Sequence, residues 1–222
     1  MHKTFTKKKK LLLTIVLCVA VLGVVATVAY LTDVTGAVKN RFSLGDAEVT
    51  TEITEETGET DGNAIQKSVA VKNIDTEDYN EQTCFIRVRV TCSPDYLSEG
   101  MISLACGTWS EGTFDQTSDT YNMDDWVYAD GYYYYLYPVE SSQTTEDADR
   151  YTTSSLFDAV VLSDAFAENP EAFDVTIYEE SVYSMDVDTE TTYSTKDDSD
   201  WAKLSDDAKL SIMQNAFASL NQ

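Results

Sequence analysis

CFIRVRVTC, Cys84 to Cys92, is the stretch that decides the class of fold. Cys84, Ile86, Val88, Val90 and Cys92 occupy one set of alternate positions, and Phe85, Arg87, Arg89 and Thr91 the other. Successive side chains of a strand project to opposite faces, so this period of two predicts a β-strand. Two chemically different faces predict a sheet with one side on the core and the other near water. Pro94 should end the strand, because proline has no N–H for the ladder. On an extended strand Cys84 and Cys92 stand about 26 Å apart and cannot bridge each other. Cys106 remains open as a partner to either; three small, buried apolar side chains are the simpler expectation.

Working outward, more strands appear. Upstream, DAEVTTEITEE (46–56) alternates Ala47, Val49, Thr51 and Ile53, and IQKSVAVKN puts Val69 and Val71 on one face. The Gly-rich acidic segment centred on 59–63 between them predicts a turn. Downstream, WVYADGYYYYLYP (126–138) predicts a hairpin turning at Asp130-Gly131, a dipeptide suited to a two-residue turn. FDVTIYEESVYSM alternates Phe173, Val175 and Ile177 as the last strong strand. Short strands separated by turn signals, without βα alternation, predict a mainly β fold, an antiparallel sandwich. At the C-terminus Trp201, Leu204, Ala208, Ile212, Ala216 and Leu220 recur at helical spacing, backed by Met213 and Phe217. They predict an amphipathic helix packed on or beside the domain.

The N-terminus has a different character. Five Lys in the first ten residues precede a charge-free apolar run, Leu11 to Leu31. This is the pattern of a secretory leader, an N-terminal signal helix. Small residues at Thr27 and Ala29 fit a signal-peptidase cut after Ala29, making Tyr30 the first mature residue. A retained anchor obeys the same hydropathy and charge rules, so cleavage and retention both stay open. The organisation expected is therefore a leader at 1–29, a β-sandwich at 30–196 and a helical segment at 197–222.

All 39 acidic residues follow the leader, against 10 of the 15 basic ones. Such a surface excludes nucleic acid and anionic lipid as partners, leaving the membrane to the leader alone, before cleavage. Catalytic equipment is sparse. The only His is His2, in the leader, so the rest of the chain has no imidazole for a nucleophile pair or a zinc site. Cys84, Cys92 and Cys106 lack zinc spacing. Adjacent acids such as Asp124/Asp125 are expected by chance in so acidic a chain. No enzyme, catalytic residue, metal or cofactor is implied. The acidic runs DVDTE (186–190) and DDSD (197–200) amount at most to a weak Ca2+ site, since neither has the Gly and terminal Glu of an EF-hand. In GYYYYLYP, Tyr133, Tyr135 and Tyr137 share one face of their strand, a candidate binding surface in a monomeric adhesion module. Packing of these rings in the sheet is the competing expectation.

Several segments together resemble the TasA/camelysin family of SipW-dependent secreted proteins, the biofilm matrix fibre subunits. They are the leader ending TVAYLTD, then NRFSLGDAEV where the family has an Asn-x-Phe-x-x-Gly strand start, then VKNIDTEDYNEQTCFIRVRV. DGYYYYLYPV, TSSLFDAV and FDVTIYEESVY complete the series, over most of residues 24–185. The resemblance implies a jelly-roll-like sandwich and export through a SipW-type signal peptidase. It further implies a structural role in the extracellular matrix or at the surface of a Gram-positive cell, with self-assembly or homologous matrix proteins as partners. Relatives that form fibres assemble by strand donation from the N-terminal segment, which maps here onto Asn40, Phe42, Gly45, Ala47, Val49 and Ile53. Camelysin relatives are described as metallopeptidases; a chain without His beyond its leader departs from that. The Gln usual after the last strand is replaced around Tyr183-Ser184, and the acidic C-terminal segment and helix are atypical.

Overall fold

The computed structural model describes residues 39–44, 47–74, 82–142 and 144–219. The leader, with Thr27, Ala29 and Tyr30, lies outside the described residues, as do Gly45 and Leu220. The fold is mainly β, with antiparallel pairing throughout the described sheets. Strands β1 (Lys39–Leu44), β2 (Ala47–Asp61), β3 (Ala64–Asn73), β5 (Ile102–Ser110), β6 (Thr113–Ser118) and β9 (Ala159–Leu162) make a six-stranded sheet in the order β1-β2-β3-β9-β5-β6. Strands β4 (Cys84–Ser93), β7 (Trp126–Ala129), β8 (Tyr132–Tyr135) and β10 (Asp174–Tyr183) make a four-stranded sheet in the order β10-β4-β8-β7. Between β3 and β10 the chain crosses from one sheet to the other repeatedly, staying in the same sheet only for the hairpins β5-β6 and β7-β8, in a jelly-roll-like sandwich. A small ribbon, β11 (Met185–Asp186) with β12 (Thr191–Thr192), follows.

The interior between the sheets is built from alternate positions, as the period-two pattern requires. Val69 and Val71 of β3, Ile102 and Leu104 of β5 and Val160 of β9 meet Ile86 and Val88 of β4 and Val175 and Ile177 of β10. Trp126 and Tyr135 close this cluster on the hairpin side. One polar seam crosses it: Thr51 Oγ1 donates to Glu179 Oε2 at 2.9 Å and lies 3.0 Å from Ser181 Oγ.

The outer face of the four-stranded sheet departs from expectation. Phe85, expected near water, is fully buried, because helix α3 (Asp206–Ser219) covers this face. Trp201, in a 3₁₀ turn (Trp201–Lys203), stacks on Phe85 with centroids 5.1 Å apart. Met213, Ala216 and Phe217 pack over Phe85, Tyr134 and Val182. Arg87 lies in this layer, its guanidinium 4.0 Å from the Tyr132 ring centre and 4.3 Å from that of Phe217, while Nε donates to Glu180 at 2.6 Å. Alternation distinguishes two faces without saying what covers each, so a helix far downstream was free to bury the second.

Three boundaries also shift. The segment read as a strand at 46–56 is preceded by another: β1 carries Asn40 and Phe42, β2 carries Ala47, Val49 and Ile53, and the register pairs Leu44 with Ala47. The acidic turn expected at 59–63 shrinks to Gly62-Asn63, because β2 continues through a bulge between Thr57 and Thr60 where Gly58 has φ 124°. The C-terminal helix starts at Asp206, with Ser205 Oγ accepting from the Ala208 N–H. Its buried residues are Lys209, Met213, Ala216 and Phe217: the last three belong to the expected face, with Ile212 partly buried beside them, and Lys209 is the addition. Two short helices, α1 (Ala148–Tyr151) and α2 (Asp164–Ala167), lie in the connections. Among the described residues no helix is long and apolar enough to cross a membrane.

Candidate functional site

Two places gather the residues singled out from sequence: the N-terminal edge of the larger sheet, and the tyrosine hairpin with the cleft beside it. At the edge, β1 is a six-residue strand with one neighbour in its sheet, β2, from Lys39↔Glu52 to Leu44↔Ala47. β2 in turn pairs with β3 over most of its length, and Ile53 packs against the core. The candidate assembly segment thus pairs with its own sandwich.

The hairpin forms where expected. Asp130 has φ 51° and Gly131 φ 84°, the two positive values a primed two-residue turn requires, and Ala129 pairs with Tyr132 across it. Much of the tyrosine row is taken up in packing. Tyr133 and Tyr135 of β8, and Tyr137 just past its end, pack against the sandwich interior, and Tyr135 is only 6% exposed, packed on Trp126. Tyr133 is half-buried between Tyr121 and Tyr128, each 4.8 Å away between centroids. Burial pushes the phenols of Tyr133 and Tyr135 up to about 12. The reason is the sheet's own geometry: a strand buried on both sides has no outward row. Tyr128, on the edge strand β7, is the exposed ring of this hairpin.

Tyr135 and Tyr137 instead form the aromatic wall of an open cleft of about 650 Å³. Their rings meet edge-on at 5.5 Å, and the Ser154 N–H donates to the Tyr135 hydroxyl at 3.4 Å. The segment after α1 also lines the cleft, joined to β3 by a bridge between Lys72 and Thr152. Lys72 and Lys196 both line the cleft. Lys67, Arg87, Arg150, Lys203 and Lys209 each sit on a carboxylate. The lysines without a carboxylate partner among the described side chains are therefore these two. Lys196 Nζ donates to the Asp149 backbone carbonyl at 3.4 Å. No local pattern marks this cleft in the sequence, since Lys72, Asp125, Tyr137, Asp149 and Lys196 come from separate elements.

The acidic runs are engaged in hydrogen bonds with nearby backbone and side chains. Asp186 accepts from the Asp188 N–H at 3.0 Å and from Thr189 Oγ1 at 2.9 Å, while Asp198 accepts from the N–H of Asp200 at 2.9 Å. No group of three or more metal-ligating side chains gathers among the described residues. Cys84, Cys92 and Cys106 are free thiols. Burial, with Asp158 second, raises Cys106 to about 11, and Cys84 is raised by burial and then by Glu179. No protein-family model, no curated protein and no solved structure matches the chain.

Proposed function

We propose that this chain is a secreted structural protein, a subunit of an extracellular matrix or fibre, that assembles by exchange of its N-terminal strand. The observation that carries this is the position of β1. It is the first described strand, it sits at the edge of the larger sheet, and a single ladder to β2 holds it there. A strand of that kind can leave its own sheet and rebuild an identical ladder on a second copy, so the exchange conserves main-chain hydrogen bonds. The resemblance of the leader, of NRFSLGDAEV and of the later strands to secreted matrix proteins supports the same reading. Catalysis has no comparable support: the His is confined to the leader, and the Cys84 and Cys106 thiols are held protonated.

The test removes β1 and leaves β2 intact. The chain starting at Tyr30 should form fibres visible by electron microscopy, and the chain starting at Gly45 should stay monomeric. A synthetic peptide of residues 37–46 added to the shortened chain should raise its melting temperature by refilling the edge. Fibres that form equally well without residues 30–44 overturn strand exchange.

A further inference from the structure

We propose that the cleft beside Tyr137 binds a segment of a neutral polysaccharide, with a sugar ring lying on the tyrosine and its hydroxyls divided between lysines and carboxylates. A pyranose has an apolar C–H face and a rim of hydroxyls, each both donor and acceptor. The cleft supplies the complement of both. Tyr137 is half-buried and leaves ring surface to the cleft, while its neighbour Tyr135 fixes it edge-on at 5.5 Å. An aromatic wall with a few convergent polar groups, in a volume of about 650 Å³, is the usual build of a small-ligand site.

The polar lining selects the class of ligand. Lys72 and Lys196 bring ammonium donors, and Asp125, Asp149 and Asp197 bring carboxylate acceptors. No ion pair closes among these groups, although Lys67, Lys203 and Lys209 are each paired with a carboxylate. Both signs therefore stay available inside one cleft and nearly cancel. An anionic ligand would meet the three carboxylates and a cationic one the two ammoniums. A polyol finds partners in both sets, because each hydroxyl can accept from a lysine and donate to an aspartate. Thr152, Thr153 and Ser154 line the cleft beside these charged groups. The inference is independent of strand exchange, since every residue it names follows β1 and the cleft is lined without it.

Calorimetric titration of the full chain tests it, with oligosaccharides of β-1,4-linked glucose, β-1,4-linked N-acetylglucosamine and α-1,4-linked galacturonate as probes. At least one neutral probe should bind. Tyr137→Ala should weaken that binding about tenfold, and Tyr137→Phe should preserve it, because the ring carries the contact. Tyr137→Ala also removes a ring from the edge of the core, so Lys196→Ala and Asp197→Ala, both at the surface, provide variants that keep the fold. Each should weaken the neutral probe several-fold, and Tyr128→Ala, near the hairpin turn and outside the cleft lining, should leave it unchanged. Silence toward both neutral probes overturns the proposal. So does binding of galacturonate alone, and so does a response to Tyr128→Ala in place of Tyr137→Ala.

Discussion

At the scale of single residues, the least forgiving contact is the ion pair Lys67–Glu55. Lys67 stands on the inward face of β3 in line with Val69 and Val71, its side chain 5% exposed, and Nζ meets Glu55 Oε1 at 3.0 Å. The second oxygen, Glu55 Oε2, is buried with no partner. Removing one member of such a pair strands a charge in the interior, whereas replacing both by apolar groups removes the need for either. Lys67→Met should cost about 3–5 kcal/mol in urea unfolding, and Lys67→Met with Glu55→Leu should recover most of it. A double variant no better than the single one would show the pair is favourable in itself. A second prediction concerns alkali. Burial holds Cys106 at about 11, and Tyr133 and Tyr135 at about 12. Unfolding lets these groups ionise at their ordinary values near 9 and 10. Their stabilisation is complete below those values and is lost as pH climbs through the folded ones. Melting temperature should thus start to fall near pH 9 and drop faster between about 10 and 12. At this scale the sequence was readable where a side chain's role follows from its strand position, as for Ile86 and Val88. It was unreadable at Phe85, whose burial depends on Trp201, and at Lys67, whose inward place contradicts its charge.

At the scale of elements, α3 turns a two-layer sandwich into a three-layer one over the smaller sheet. Phe217 is fully buried, within reach of Tyr134 at 6.0 Å between centroids and of the Arg87 guanidinium at 4.3 Å. It joins apolar burial to a cation–π contact, so Phe217→Ala should destabilise by about 3–5 kcal/mol. The same substitution should bring out binding of a hydrophobic dye, because Phe85, Tyr134 and Trp201 lose their cover. A small loss without dye binding would mean that α3 is only loosely tied to the sheet. The helix was visible in its spacing: of the residues read there, Trp201, Met213, Ala216 and Phe217 are buried, and Leu204 and Ile212 pack partly against them. Lys209 sits in the buried face with its ammonium 3.3 Å from Asp206 and 5.4 Å from the Tyr137 ring centre, so a charged residue marks a position that hydropathy assigns to water. The Asp130-Gly131 turn was legible for the opposite reason: its positive φ values are a local demand that local residues meet.

At the scale of the whole molecule, charge and edges set how copies meet. The chain carries a formal −24 at pH 7, with a pI near 4.1, so two copies repel over the distance that salt leaves unscreened. Against that background β1 is the exception: KNRFSL holds Lys39 and Arg41 and no acid, whereas the other outer strand of the same sandwich end, β10, holds Asp174, Glu179 and Glu180. Exchange of β1 can therefore answer to salt in two opposite ways. If net repulsion governs the encounter, association should accelerate as NaCl rises from about 20 to about 500 mM, and again as pH falls toward the pI, since the Debye length shrinks from over 20 Å to under 5 Å across that salt range. If β1's own cations steer it onto acidic neighbours, the same salt should slow association. The repulsive term is the larger, because two positive charges on one strand face a molecule-wide excess of acid. Sedimentation velocity at matched protein concentration should thus show larger species at high salt, and Lys39→Gln with Arg41→Gln should shift the onset to still higher salt without abolishing it. Faster association at low salt would reverse the ranking and make the basic strand the element that selects its partner.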